Sequence, residues 1–265
     1  MWELVKQGIK DKAVEPYARW LIKRSRGIKM PFDLVKNEIY DRQADEVIEL
    51  LLKSNSNAID VGCHKGQFLK LFLKHAHQGH HFAFEPIPHL AKILQTEFPS
   101  VEVYNYALSN KSGEAAFCVI PEALALSGLN ARIFIKPDTV RQEIVVSTVR
   151  LDTVIAEEIT IDLIKIDVEG AEGLVIEGAI DTIKRNKPYI IFEHGSASSK
   201  PFGFSSGDIY DLLVEQCGLR ISLLKDWLYH GPSLSKQEFM EGGDWYFLAH
   251  PMESMGSDSN TATLK

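Results

Sequence analysis

The chain has 265 residues, 45% of them hydrophobic and 25% charged, with a formal net charge of −7; this composition excludes low-complexity and collagen-like chains and suits one large α/β domain with small additions. No apolar stretch approaches the roughly 18 residues needed to cross a bilayer, and Met1 to Lys6 lack the apolar core of a signal peptide, so a cytoplasmic protein is expected. Residues 1–36 carry a net positive charge and the rest of the chain is strongly acidic, which argues against nucleic acid as the main partner.

Residues 3–25 mix Leu4, Val5, Ile9, Trp20, Leu21 and Ile22 with lysines and arginines and are interrupted near Pro16, a pattern that predicts an amphipathic helical flap. The alternative for such a basic segment is contact with an anionic membrane surface. Residues 1–37 are read as an N-terminal helical segment. A second helix is expected from Glu38 to Lys53, ended by the turn residues Ser54 to Asn57. The run Ala58, Ile59, Asp60, Val61 then reads as a strand entering a glycine turn, followed by a helix over 67–74.

Strand and helix alternate again over 81–85 and 89–98, then comes a strand over 101–106, which together predict a parallel sheet with crossover helices. Glu114 to Ile120 and Glu143 to Val149 read as two strands of a hairpin insertion around Ser127, Gly128, Leu129 and Asn130. The rhythm resumes with a strand over 162–167, a helix over 171–185, a strand over 189–193, a helix over 208–216, and strands near 219–224 and 245–250. The polar tail 252–265 is expected to be disordered.

In a doubly wound sheet, ligands bind beyond the carboxyl ends of the strands, near the point where strand order reverses. Those ends are polar here: Asp60, then Gly62, Cys63, His64, Lys65 and Gly66; Glu85; Asp167 and Glu169; Glu193 and His194. Gly62 and Gly66 allow close approach of a ligand to the backbone. Glu85 is placed to accept the hydroxyl protons of an adenosine ribose, a geometry that serves either S-adenosylmethionine or NAD. The glycine spacing is GxxxG and not the GxGxxG of a dinucleotide site, and converging carboxylates would repel a pyrophosphate while attracting a sulfonium and an ammonium. S-adenosylmethionine is therefore the expected cofactor, with an NAD-dependent oxidoreductase on a similar sheet, or a non-catalytic nucleoside-binding relative, as the alternatives.

The segments IDVGCHKG (59–66), AFEPIP (83–88), NYALSN (105–110), LDT (151–153) and KIDVEGAE (165–172) occur in an order that resembles the FkbM family of methyltransferases, over roughly residues 38–195. The resemblance implies a Rossmann-like class I methyltransferase fold, α/β, over 38–251: a seven-stranded, mostly parallel sheet with an antiparallel last strand, helices on both faces, and a hairpin insertion after strand three. It implies S-adenosylmethionine as donor and O-methylation of a sugar or secondary-metabolite hydroxyl. By position, Asp60, Gly62, Cys63, His64 and Gly66 would form the cofactor loop, Glu85 with Pro86 would take the ribose, Ala107 and Leu108 would flank the adenine, and Asp167 would face the methionine end.

The family commonly has Ala and Asn at the positions of Cys63 and His64, and a Ser-Ser-Leu element where this chain has Ser127, Gly128 and Leu129. An alcohol acceptor must lose its proton as the new bond forms, and His194 is the first candidate base, with Asp167 and Glu193 next. The histidines His75, His77, His80 and His81 lack the carboxylate or cysteine that would complete a zinc shell. Asp167, Glu169, Glu193 and His194 would suit Mg2+ as clustered oxygen and nitrogen ligands, but no metal is assigned. The three cysteines, Cys63, Cys118 and Cys217, are too few and too dispersed for a disulfide framework. The expected partner is a small-molecule or glycan acceptor. Its choice falls to residues 1–37, 110–150 and 225–244, where no chemistry is legible.

Overall fold

A computed structural model describes residues 32–129 and 139–252. The basic amphipathic helix expected over 3–25, Asn130 of the insertion loop and the tail beyond Met252 lie outside the described residues.

The long helix α1 (Phe32–Leu51) begins six residues before the sequence pattern suggests. The strand β1 (Ala58–Val61) follows, then helix α2 (Gln67–His75), β2 (His81–Phe84), α3 (Pro88–Glu97) and β3 (Val101–Tyr104). Next come β4 (Ala107–Leu108), β5 (Gly113–Val119) and β6 (Gln142–Val149), then β7 (Leu163–Ile166), β8 (Tyr189–Glu193), β9 (Leu219–Leu223) and β10 (Tyr246–Pro251). Seven strands form one sheet in the order β3-β2-β1-β7-β8-β10-β9. All its pairings are parallel except those of β10, which runs antiparallel to both neighbours. The expected antiparallel last strand is therefore present. Strand order reverses at β1, between β2 and β7, so the switch point lies at the end of β1.

The central strands β1, β2 and β7 are buried along their whole length, as a sheet covered on both faces requires. Alternate residues enter two cores. Ile59, Val61, Phe84, Ile164 and Phe192 pack with the helices after β7 and β8; Ala58, Ala83, Leu163 and Ile191 pack with α1, α2 and the segment 224–228. Among the described residues, no helix is long and apolar enough to cross a membrane.

The insertion is more than a hairpin. β5 and β6 pair antiparallel as expected, and the two-residue β4 adds to β6 in parallel, making a second sheet of order β4-β6-β5. This small sheet packs on Ile87 and Leu90 at the start of α3 through Ala107, Phe117 and Val146.

The helix expected over 171–185 is two helices, Glu172–Glu177 and Ile180–Asn186. A Cβ at Gly178 would lie 2.0 Å from the Ser109 carbonyl oxygen, so this close crossing sits at the break. Asp152 then caps the second segment, its Oδ1 accepting from the Thr182 amide at 2.8 Å. The predicted helix over 208–216 starts at Ser206, where Ser205 and Asp208 form a capping box, and widens into a π-helical stretch over Asp211–Gln216.

Candidate functional site

The turn after β1 is built around two residues that only glycine suits. Gly62 has φ +76°, and a Cβ there would lie 2.0 Å from the Asp167 carbonyl oxygen; Gly66 has φ +70° and sits against Phe98 and Leu94. Between them His64 also takes a left-handed backbone, φ +46°, a conformation in which Asn and His are enriched among non-glycine residues. The exchange of the family's Asn for His64 therefore keeps the turn.

The His64 amide donates to Glu85 Oε2 at 2.9 Å, and the Ile87 amide donates to Glu85 Oε1, also at 2.9 Å. Glu85 is thus fixed by backbone from both sides, and burial pushes its pKa up to about 7 against the pull of those two amides. The Asn105 side chain donates to the carbonyls of Glu85 and Pro86, both at 2.9 Å, and locks the turn after β2.

At the end of β7, the Lys165 ammonium stands 3.1 Å from the Gly62 carbonyl oxygen, 3.5 Å from Asp60 Oδ1 and 3.6 Å from Asp167 Oδ2. Burial penalises its charge, yet Asp60 and Asp167 together hold its pKa above the ordinary lysine value. The following turn places Glu169 at φ +63° and is tied down by Glu172, whose Oε1 accepts from the amides of Val168 and Gly170. Glu172 is fully buried, which pushes its pKa up to about 7. It supports the turn from below.

These three turns open on a cavity of about 370 Å³. On the β2 side its wall is apolar: Ile87, Leu90, Ala107, Leu108 and Phe117, with Ser127, Gly128 and Leu129 of the insertion closing over them. Ser127 is turned to its own loop, its hydroxyl accepting from the Ile120 amide at 3.0 Å. On the β7 side lie Lys165, Asp167 and Glu169, with Asp41 from α1 and Tyr246 from β10. β2 and β7 flank β1, so Glu85 and Asp167 are separated by two strand spacings, roughly 10 Å. An elongated ligand with a flat apolar end, a vicinal diol in the middle and a cationic tail fits this order of groups.

Of the predicted site residues, Gly62, Cys63, His64, Glu85, Pro86, Ala107, Leu108 and Asp167 line the cavity. Asp60 and Gly66 do not. Asp60 is completely buried beneath the loop as the partner of Lys165, and Gly66 shapes the turn, its amide bonding the Cys63 carbonyl at 2.7 Å.

His194 and Glu193 are likewise not among the lining residues. His194 is buried, with Nε2 2.8 Å from Ser206 Oγ and Nδ1 3.1 Å from Ser199 Oγ. Burial lowers its pKa to about 4. Its ring nitrogens join the segments after β8, where a base would need one turned to substrate. Neither Lys165 nor Asp41 stands out in the sequence as a site residue. A lysine inside the apolar run Leu163 to Ile166 was the available signal, because a fully buried lysine must be paired.

Among the described residues no group of three or more His, Cys, Asp or Glu is arranged to hold a metal ion. His81 is buried with its ring nitrogens on Ala58 N and Ala76 O, and His80 pairs with Glu102. All three cysteines are free.

A family model described as the methyltransferase FkbM domain matches residues 60–221. No curated protein matches the chain. Among solved structures, the chain is similar to a methyltransferase FkbM from Methylobacillus flagellatus, at 12% identity and a TM-score of 0.46, over 75% of this chain and 44% of that one. It is also similar to a TehB-like SAM-dependent methyltransferase from Corynebacterium glutamicum, at 12% identity and a TM-score of 0.42, over 91% and 97% of the two chains. A third is a SAM-dependent methyltransferase from Aquifex aeolicus, at 14% identity and a TM-score of 0.39, over 78% and 87%. The chain spans less than half the length of the first of these proteins.

Proposed function

Because the chain belongs to the FkbM methyltransferase family, we propose that it transfers the methyl group of S-adenosylmethionine to a hydroxyl of a sugar, glycan or secondary-metabolite acceptor. The observation that carries the donor assignment is Glu85: a buried carboxylate, both oxygens aligned by backbone amides, lining the cavity at the end of β2. Each oxygen keeps a lone pair for a ribose hydroxyl. The apolar wall of Ile87, Ala107, Leu108 and Phe117 suits an adenine, and the carboxylates beyond β1 suit a sulfonium and an ammonium.

The sulfonium supplies an already activated methyl, so holding the acceptor oxygen in line with it provides much of the acceleration. The chain's own task is then to place the two reactants and to receive the proton that the acceptor oxygen loses. Of the three residues expected as base, Asp167 lines the cavity, and it is the one to which the role is assigned; Lys165 fixes its carboxylate in place. His194 is read as part of the architecture. The methyltransferase domain is taken to extend over 38–251, beyond the matched segment, because α1 and β10 contribute Asp41 and Tyr246 to the cavity.

The acceptor class is tested by measuring release of S-adenosylhomocysteine with panels of glycosides, polyketide alcohols and amines. Turnover that requires a free hydroxyl supports the reading. Turnover with amines and with no alcohol overturns it.

A further inference from the structure

Two of the carboxylates that the strand ends offer the donor's ammonium are already engaged. Lys165 already stands between Asp60 and Asp167, and Asp60 has no exposed surface. A methionine ammonium entering beside Asp167 meets that lysine's charge as well as the carboxylate's. A compensating anion is available among the other acidic lining residues, Asp41, Glu85 and Glu169, of which Glu85 is already held by two backbone amides.

Asp41 is placed to be that anion. It projects from α1, outside the segment matched by the family model, and lines the same cavity as Gly62, His64 and Asp167. Among the described residues, no cation is ion-paired with the Asp41 carboxylate and no group hydrogen-bonds to that carboxylate. Its position is fixed by neighbours on the same helix. Tyr40, one residue earlier, stacks on Tyr246 with ring centroids 5.6 Å apart and donates its hydroxyl to Asp244. Lys36 pairs with Asp244 at 3.0 Å and lies 4.1 Å above the Trp245 ring, and the Trp245 indole donates to Asn37 at 3.1 Å. The helix is therefore pinned to the strand that supplies Tyr246 to the cavity.

We propose that Asp41 receives the ammonium of the donor's methionine moiety, making α1 the closing wall of the cofactor site. The inference rests on the donor reading above. Asp41 keeps contact with solvent, yet desolvation by the surrounding protein, reinforced by Asp45, Asp167 and Glu38 and opposed by Lys165, pushes its pKa up to about 6. Among the described residues, these four groups, with Tyr246 on β10, are the titratable neighbours that act on it from its own helix and from the strands. An ammonium arriving there would relieve the repulsion among the carboxylates.

The test compares S-adenosylhomocysteine with 5′-methylthioadenosine, which keeps the adenosine and lacks the amino-acid tail. Calorimetry on the full chain at pH 7.5 should show Asp41→Asn weakening S-adenosylhomocysteine by about 10- to 100-fold, the range for a lost hydrogen bond to a charged group. 5′-Methylthioadenosine should bind the variant as it binds the wild type. Glu49→Gln, two turns along the same helix, exposed and outside the cavity lining, should leave both affinities unchanged. In the wild type, the ratio of the two affinities should fall as pH drops through about 6, while the donor ammonium stays protonated; in Asp41→Asn the ratio should be flat. Unchanged S-adenosylhomocysteine affinity in Asp41→Asn, or equal losses for both ligands, would overturn the assignment alone. A wild type that bound neither ligand would overturn the donor reading and this inference with it.

Discussion

Lys165 Nζ lies 3.5 Å from Asp60 Oδ1, both side chains almost wholly withdrawn from solvent. The pair joins the ends of β1 and β7 at the point where strand order reverses, and the same ammonium reaches the Gly62 carbonyl. Breaking a buried pair by removing one partner leaves an uncompensated charge and costs about 3–5 kcal/mol. Lys165→Met should therefore destabilise the fold by an amount in that range, measured by urea denaturation at pH 7.5. Adding Asp60→Asn should return much of the loss. Strictly additive effects of the two substitutions would show that the pair is not coupled.

Glu85 gives a pH-dependent prediction. With its pKa near 7, the carboxylate is increasingly ionised as pH rises from 6 to 8, and an ionised group offers more acceptors to a diol. Affinity for 5′-methylthioadenosine should rise over that window. Glu85→Gln should flatten the profile and weaken binding at pH 8 by about 1.5–3 kcal/mol. The stability sign is the reverse. Because the folded pKa is raised, the native state holds the proton more tightly than the unfolded chain, so this group's contribution falls as pH rises from about 4.5 to about 7.

His194 should matter to stability and not to proton transfer. Its folded pKa of about 4, below the ordinary 6.5, means the unfolded chain takes up the proton first on acidification. Its contribution to stability is therefore complete above about pH 6.5 and lost as pH falls toward 4, on the order of 3 kcal/mol. His194→Gln, which can still bond Ser199 and Ser206, should reduce this acid-side loss in denaturation curves. S-adenosylhomocysteine affinity and the pH profile of methyl transfer should stay as in the wild type. A 10²-fold or larger fall in turnover with an altered pH profile would restore His194 as the base.

His64 contributes its amide to Glu85 and its left-handed backbone to the turn. His64→Asn should be tolerated, and His64→Gly should bind the donor nearly as well, since the amide remains. His64→Val should cost about 1–2 kcal/mol of stability, because a β-branched residue resists this conformation. A large loss of S-adenosylmethionine affinity in both Asn and Gly variants would show that the imidazole itself holds the ligand.

The strands were legible where continuous apolar runs meet turn residues, as at Ala58–Val61 and Tyr189–Glu193. β4 was not, because two residues carry no periodicity. The break lies where Gly178 meets the Ser109 carbonyl, contributed by a distant part of the chain, and a single glycine in a helical pattern does not announce it. Cavity-lining residues within the motifs, such as Glu85 and Asp167, follow from strand ends and topology. His194 also ends a strand, but whether its ring turns to the cavity or into the packing of Ser199 and Ser206 is decided by the helices that follow β8. Asp41 lies on an ordinary helical pattern and gains meaning only from the helix docking beside β10.

Glu85 as the anchor of a methyl donor is tested most directly by calorimetric titration of the full chain with S-adenosylhomocysteine, S-adenosylmethionine and NAD, alongside Glu85→Ala. One site for the first two ligands, a marked loss of both in Glu85→Ala, and no heat with NAD are expected. Absence of binding by the wild type, affinity unaltered in Glu85→Ala, or binding of NAD in place of the methyl donor would contradict that role.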